Sequence, residues 1–279
     1  MSENILHTCA LYSGSRGNSI LVACGRDKIL VDCGGSGKQT AEALRFIGVD
    51  PEELTAILVT HEHIDHRHGV GVMSRRYHLP VYATAGTWEG IGDRCGAFPD
   101  GLRRVFDPAC DFYLGSLGVL PFRTSHDALE PVGFRFYAGT TSVAIATDLG
   151  YVTQDHLSLL EGTDLIFLES NHDPDLLRAN EKYTERLKAR ILSRKGHLSN
   201  QQCADALVHL AEKGTTHFVL SHLSEENNRP QLALETSRTC AELEGMREGE
   251  DFHLDLAWQD RIGNVYEISP RRIAMLERA

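Results

Sequence analysis

A chain of 279 residues can bury one large core or two modest lobes, and 42% hydrophobic against 24% charged residues is an ordinary balance for a soluble globular protein. The net charge of −11, from 28 basic and 39 acidic residues, does not advertise a nucleic-acid binder, although acidic groups that ligate cations would account for part of the excess. No run approaches eighteen apolar residues, so no membrane span is expected, and MSENILHTCALYSG lacks the basic start and apolar stretch of a secretory signal. Seven scattered cysteines, never spaced CxxC, predict reduced thiols in a cytoplasmic protein. They argue against a disulfide framework or a Cys-rich zinc module.

Taken in chain order, residues 5–12 and 19–24 read as strands around the turn-rich SGSRGNS, and 28–31 as a third strand ending at Asp32. Residues 38–48 have a helical face and a glycine stop. The apolar run 56–59 is a buried strand, followed after Gly69 by a helix to Tyr77, a short strand at 79–84 and a helix at 87–95. From 102 to 147 the pattern is β, with 103–107, 111–124, 132–139 and 141–147 separated by Gly, Pro and Asp. Then come a buried strand at 164–170, helices at about 174–193 and 200–213, a strand at 217–223 and a helix at 231–245. Residues 251–268 close the chain as a β element before a basic tail, PRRIAMLERA. With no linker, repeat or low-complexity segment, the whole of 1–279 reads as one catalytic domain. The expected fold class is α+β, two sheets packed face to face with helices outside.

Chemistry concentrates where strand 56–59 ends. His61, His63, Asp65, His66 and His68 fall within eight residues, whereas 14 histidines spread evenly would place about 0.4 in such a window. Imidazoles and a carboxylate leaving a rigid strand make a metal site. Three further ligand-capable residues follow apolar strands: His126, Asp148 and His222. Each alone is more often a structural residue; the repetition of one arrangement favours a shared site.

These residues resemble the HxHxDH pattern of the metallo-β-lactamase superfamily. The resemblance implies a four-layer αβ/βα sandwich with two divalent ions, zinc, manganese or iron. It assigns His61, His63 and His126 to one ion, Asp65, His66 and His222 to the other, and Asp148 as the bridge. LYSGSRGNS, ILVDCGG, VTHEHIDH, SHDA, ATDLG, LESNHD, GHLSN and LSHLSEENN together resemble the YycJ/WalJ branch, described as exonucleases that degrade duplex DNA from the 5′ end. A cytoplasmic, metal-dependent phosphodiesterase acting on DNA through a metal-bridging hydroxide is the implied function, with Asp65, Asp148 and His197 as catalytic residues.

Several stretches bear on the substrate. The resemblance places Glu169 or His172 beside the metals, orienting ligand imidazoles. His197 precedes a helix capped by Ser199 or Asn200 and is similar to the His-x-Ser/Thr histidine of RNase Z and RNase J relatives; it contacts phosphate or protonates the leaving oxygen, or it is a capping residue. Asp32 is expected to support the motif loop. Arg16, in the Gly/Ser turn, would suit a phosphate if the loop is more than a turn. The basic residues of 181–195 form a solvated face or a phosphate track leading to His197. The competing functions on this scaffold are thioester, lactone or β-lactam hydrolysis and RNA processing. A binding protein with structural ions is disfavoured, because structural zinc is closed by four ligands.

Overall fold

A computed structural model describes residues 5–270 and 272–276. The strands are β1 (Leu6–Tyr12), β2 (Ser19–Cys24), β3 (Asp27–Val31), β4 (Ala56–Leu58), β5 (Val81–Ala83), β6 (Arg103–Val105), β7 (Phe112–Leu114), β8 (Leu117–Arg123), β9 (Val132–Ala138), β10 (Thr141–Ala146), β11 (Leu165–Glu169), β12 (His217–Ser221), β13 (His253–Leu256), β14 (Val265–Ser269) and β15 (Arg272–Leu276). The helices are α1 (Gly37–Phe46), α2 (Ile64–Arg67), α3 (Val70–Tyr77), α4 (Ala85–Ile91), α5 (Gln154–Leu160), α6 (Pro174–Ala179), α7 (Glu185–Ile191), α8 (Asn200–Glu212) and α9 (Pro230–Leu243).

The chain forms two compact units. The first comprises Met1–Arg123, Ala128–Ser142 and Trp258–Ala279. Its large sheet runs β15-β14-β1-β2-β3-β4-β5-β6. The pairing is antiparallel from β15 to β3 and parallel from β3 onward. Leu21, Leu30, Ile57, Val81 and Trp88 belong to one buried cluster that also takes Leu44 from α1 and Met73 from α3. α1 starts on a capping box, in which Ser36 accepts from the Gln39 amide and Gln39 answers to the Ser36 amide. The antiparallel meander β7-β8-β9 also belongs to this unit.

The second unit comprises Thr124–Asp127 and Val143–Ala257. Here β10, from Val143 on, pairs with β11, β11 with β12, and β12 with β13, all in parallel. Such strands are covered on both faces, which explains the unbroken apolar runs VAIA and LIFL, buried throughout. α8 and α9 pack on one another.

Several elements differ from expectation: α2 and α5 fall where no helix was expected, and 111–124 is two antiparallel strands, β7 and β8. The single helix at 174–193 is two, because Asn180 leaves helical geometry and Thr184 caps a new start at α7. The closing β element is split: β13 pairs with β12, whereas β14 pairs with β1. Within the expected basic tail, Arg272–Leu276 is a strand in antiparallel register with β14, while Arg271 and residues 277–279 lie outside the described residues.

Candidate metal centre

In the first unit the chemistry sits at the carboxyl ends of parallel strands, where open α/β sheets place their ligands. β3 delivers Asp32 and β4 delivers Thr60 and His61. Asp32 is buried and holds φ +60°, a conformation that costs a non-glycine residue ~1–3 kcal/mol and persists only when its surroundings enforce it. The enforcing contacts are visible. Oδ1 accepts the Thr60 amide at 2.8 Å, and Oδ2 accepts the Thr60 hydroxyl and His66 Nδ1, each at 2.8 Å. Burial pushes the Asp32 carboxyl up, against the opposing pull of His66 and Thr60. Having donated to Asp32, the Thr60 hydroxyl is left to accept from His61 Nδ1 at 3.0 Å. The His61 ring lies 4.6 Å from His63 and 4.1 Å from His66, centroid to centroid.

The motif loop is knitted to its neighbours through backbone groups. The Asn18 amide donates to the Asp65 carbonyl, the Gly34 amide to the Asn18 carbonyl, and the Cys33 amide to the His66 carbonyl, at 2.8–2.9 Å. A Cβ on Gly34 would run into the Asp65 carbonyl, so glycine is obligatory there. The Asn18 side chain accepts the Gly14 amide at 2.9 Å and donates to His66 Nε2 at 3.1 Å; a cation at that nitrogen would displace this contact. The SGSRGNS loop therefore braces the histidine motif. Arg16 is exposed on it, and His68 is exposed at the end of α2.

In the second unit, Asp148 follows β10, Glu169 ends β11 and His222 follows β12. Asp148 and His222 repeat the left-handed backbone of Asp32, with φ +58° and +56°. One atom each of Asp148, Glu169, His197 and His222 lie within 4.8 Å of one another. Glu169 is the hub. Its Oε1 accepts from His197 Nδ1 and His222 Nδ1, both at 2.8 Å, and its Oε2 accepts the Leu149 and Leu198 amides at 2.8 and 3.1 Å. Burial opposes ionisation, yet the charges and hydrogen bonds of His197 and His222 hold this carboxyl well below the usual carboxylate range. One buried side chain thus pins the loops carrying Asp148, His197 and His222. His126 donates from Nδ1 to the Gly196 carbonyl at 3.0 Å, and its Nε2 lies 3.6 Å from Asp148 Oδ1.

The residues of both units suit divalent cations. His66, His126 and His222 each spend Nδ1 on a carboxylate or carbonyl, and His61 spends it on Thr60. That assigns the lone pair to Nε2 in all four, the tautomer a metal-ligating imidazole needs, with the second partner fixing the ring. His172 stands apart. Its ring nitrogens have no hydrogen-bond partner among the described residues, burial pushes its pKa down to about 4, and its carbonyl accepts the Asn200 amide. Of the two supports expected near 169–172, Glu169 is the one in contact with His197 and His222.

The bracing roles of Asn18, Thr60 and Gly34 escaped the sequence reading. Their only signals were an asparagine inside a Gly/Ser run, a threonine closing an apolar strand and a Gly-Gly pair after Cys33. Residues 27–223 match the Beta-lactamase superfamily domain. Exodeoxyribonuclease WalJ of Streptococcus pneumoniae is 37% identical over 272 residues, 97% of each chain. Exodeoxyribonuclease YycJ of Bacillus anthracis is 37% identical over 249 residues, 89% of this chain and 94% of that one. The metallo-β-lactamase fold protein YhfI from Bacillus subtilis superposes with a TM-score of 0.72 at 16% identity, covering 95% of this chain and 100% of that one, which shows the α+β fold class. The chain is a member of the metallo-β-lactamase superfamily, in the branch that contains the WalJ and YycJ exodeoxyribonucleases.

Proposed function

We propose that this chain is a metal-dependent exonuclease that removes nucleotides from the 5′ end of double-stranded DNA, its two units acting as one catalytic domain. His61, His63 and His126 would hold one divalent ion, Asp65, His66 and His222 a second, with Asp148 between them. Zinc, manganese and iron all suit mixed imidazole and carboxylate donors. Bound there, a cation pair supplies an acidified water as nucleophile and neutralises charge on the phosphoryl oxygens.

The observation that carries the phosphodiester reading is the Glu169–His197 contact. Hydrolysis of a phosphodiester expels an alkoxide, which needs a proton. With Nδ1 donating to Glu169, His197 keeps Nε2 as the atom that can deliver one, and the ring is held while it does so. It is only partly buried, with 17% of its side chain exposed, unlike His126 and His222. Asp148 holds its carboxylate in a strained backbone position that Asn would tolerate, because Asn is enriched among non-glycine residues with positive φ. Seven free cysteines suit the reducing cytoplasm, and among the described residues no helix is long and apolar enough to cross a membrane.

The deciding experiment compares 5′-labelled duplex DNA, single-stranded DNA and RNA, after chelation and after adding Mn²⁺ or Zn²⁺. Metal-dependent release of label as mononucleotide from the duplex is expected. Asp148→Asn should stay folded and lose turnover, and His197→Ala should keep its metal and lose turnover by about 10²-fold or more. Preferential cutting of RNA, or near wild-type activity in Asp148→Asn, would overturn the assignment.

A further inference from the structure

A cleft of about 250 Å³ in the second unit is lined by Tyr151, Val152, Leu157, Gln202, Asp205 and Ala206. Tyr151 comes three residues after Asp148, and Gln202 lies on the first turn of α8, which begins three residues after His197. The two walls are locked to the loops that bear those residues. Tyr151 exchanges hydrogen bonds with the Ser125 hydroxyl, next to His126, and Gly150 abuts the Arg194 and Lys195 backbone so closely that a Cβ would collide with it. The Arg194 guanidinium lies over the Tyr151 ring, 3.9 Å from its centroid, and no carboxylate pairs with it among the described residues.

We propose that this cleft receives one nucleobase of the DNA strand undergoing digestion, with Tyr151 as the stacking surface and Arg194 as the flanking cation. The proposal rests on the phosphodiesterase reading above. The volume is below the ~300–1,000 Å³ of sites for drug-sized ligands, which suits a single base. Aromatic rings flanked by arginine are how proteins hold bases of any sequence, since every base has a π-face. The polar rim argues for a base and against a phosphate. Asp205 presents a carboxylate, with Oδ1 accepting from Gln201, and would repel an anion. The Gln202 side-chain oxygen is used by the Ser199 amide, which leaves its NH₂ as donor. One acceptor beside one donor matches the edge of any of the four bases, so the subsite grips without reading sequence.

The test places an abasic nucleotide at each of the first four positions from the digested end and measures kcat/KM for each. At one position the missing base should cost the wild type about tenfold. In Tyr151→Ala and Tyr151→Leu that penalty should fall to about onefold at that position alone, while Tyr151→Phe retains it. Because the penalty is a ratio of two substrates on one enzyme, a variant that is partly misfolded lowers both rates and leaves the ratio intact. A penalty unchanged in Tyr151→Ala at every position, or the absence of any penalty in the wild type, overturns the subsite. Hydrolysis of bis(p-nitrophenyl) phosphate by the wild type separates the two readings. If that ester and DNA are both left intact, the phosphodiesterase reading fails and takes the subsite with it; if they are cleaved without a Tyr151-dependent penalty, only the subsite fails.

Discussion

At the scale of single residues, Glu169 shows how one buried charge can set the chemistry of its neighbours. It accepts four hydrogen bonds, two from imidazoles and two from backbone amides. An amide in its place can satisfy only one of those pairs, because its NH₂ cannot accept. If the carbonyl oxygen faces the Leu149 and Leu198 amides, the NH₂ meets His197 and His222, and both rings must present an unprotonated Nδ1. The proton then moves to Nε2, where His222 would otherwise offer its lone pair to a cation. Glu169→Gln is therefore expected to lower metal affinity or turnover by about 10–100-fold, the usual effect of losing such a supporting partner. Metal content at buffered free Zn²⁺, measured alongside kcat on duplex DNA, checks this. Wild-type values in both would show that Glu169 does not set the tautomer of His222.

At the scale of elements, the framework is held by close backbone approach as much as by side chains. Gly34 admits the Asp65 carbonyl, and the adjacent amide of Cys33 bonds the His66 carbonyl. Gly34→Ala must push the motif loop outward; overpacking of this kind costs roughly 1–3 kcal/mol. Its thermal midpoint should drop and its metal affinity weaken together, whereas Gly25→Ala, where nothing lies within 4 Å, should leave metal affinity unchanged. Titration of both variants with Zn²⁺ gives the comparison, and an unaltered affinity in Gly34→Ala would sink the claim. Elements such as β2, β4, β10, β11 and β12 were legible because buried strands carry unbroken apolar runs, and the ligand-capable residues could be read because each follows such a run. β15 was not legible: its residues are mostly half-exposed or exposed, so the pairing with β14 that forms it leaves no alternation in the sequence. The break between α6 and α7 was hidden for a related reason, since α7 buries no residue and its start depends on Thr184 accepting from the Leu187 amide. Glu169 was legible as a strand-end carboxylate, but its fourfold role depends on loops 20 to 53 positions away in sequence.

At the scale of the whole molecule, the proposed function asks a chain of net charge −11 to engage a polyanion. The conflict is smaller than the total implies, because exposed charges farther apart than ~8 Å are largely screened at physiological salt. Local arrangement decides, and ion pairing thins the basic segment before His197. Lys182 pairs with Glu226 at 2.7 Å, Lys188 with Glu185 at 3.0 Å, and Arg190 grips Asp127 through two nitrogens. Arg186, Arg194 and Lys195 have no such partner among the described residues. A cation already paired within the protein releases little when it meets phosphate, so these three should carry the segment's electrostatic contribution to DNA binding. Each phosphate neutralised contributes about −0.9 to the slope of log K against log salt, which gives about −3 for the segment. Arg186→Ala should make the measured slope shallower by about 0.9, and Lys182→Ala should leave it nearly unchanged. Binding of duplex DNA by catalytically silent Asp148→Asn, followed by anisotropy from 50 to 300 mM KCl, reads both slopes. Equal changes in the two variants would mean that the Lys182–Glu226 pair opens on the substrate, and that charges counted as spent are available to DNA after all.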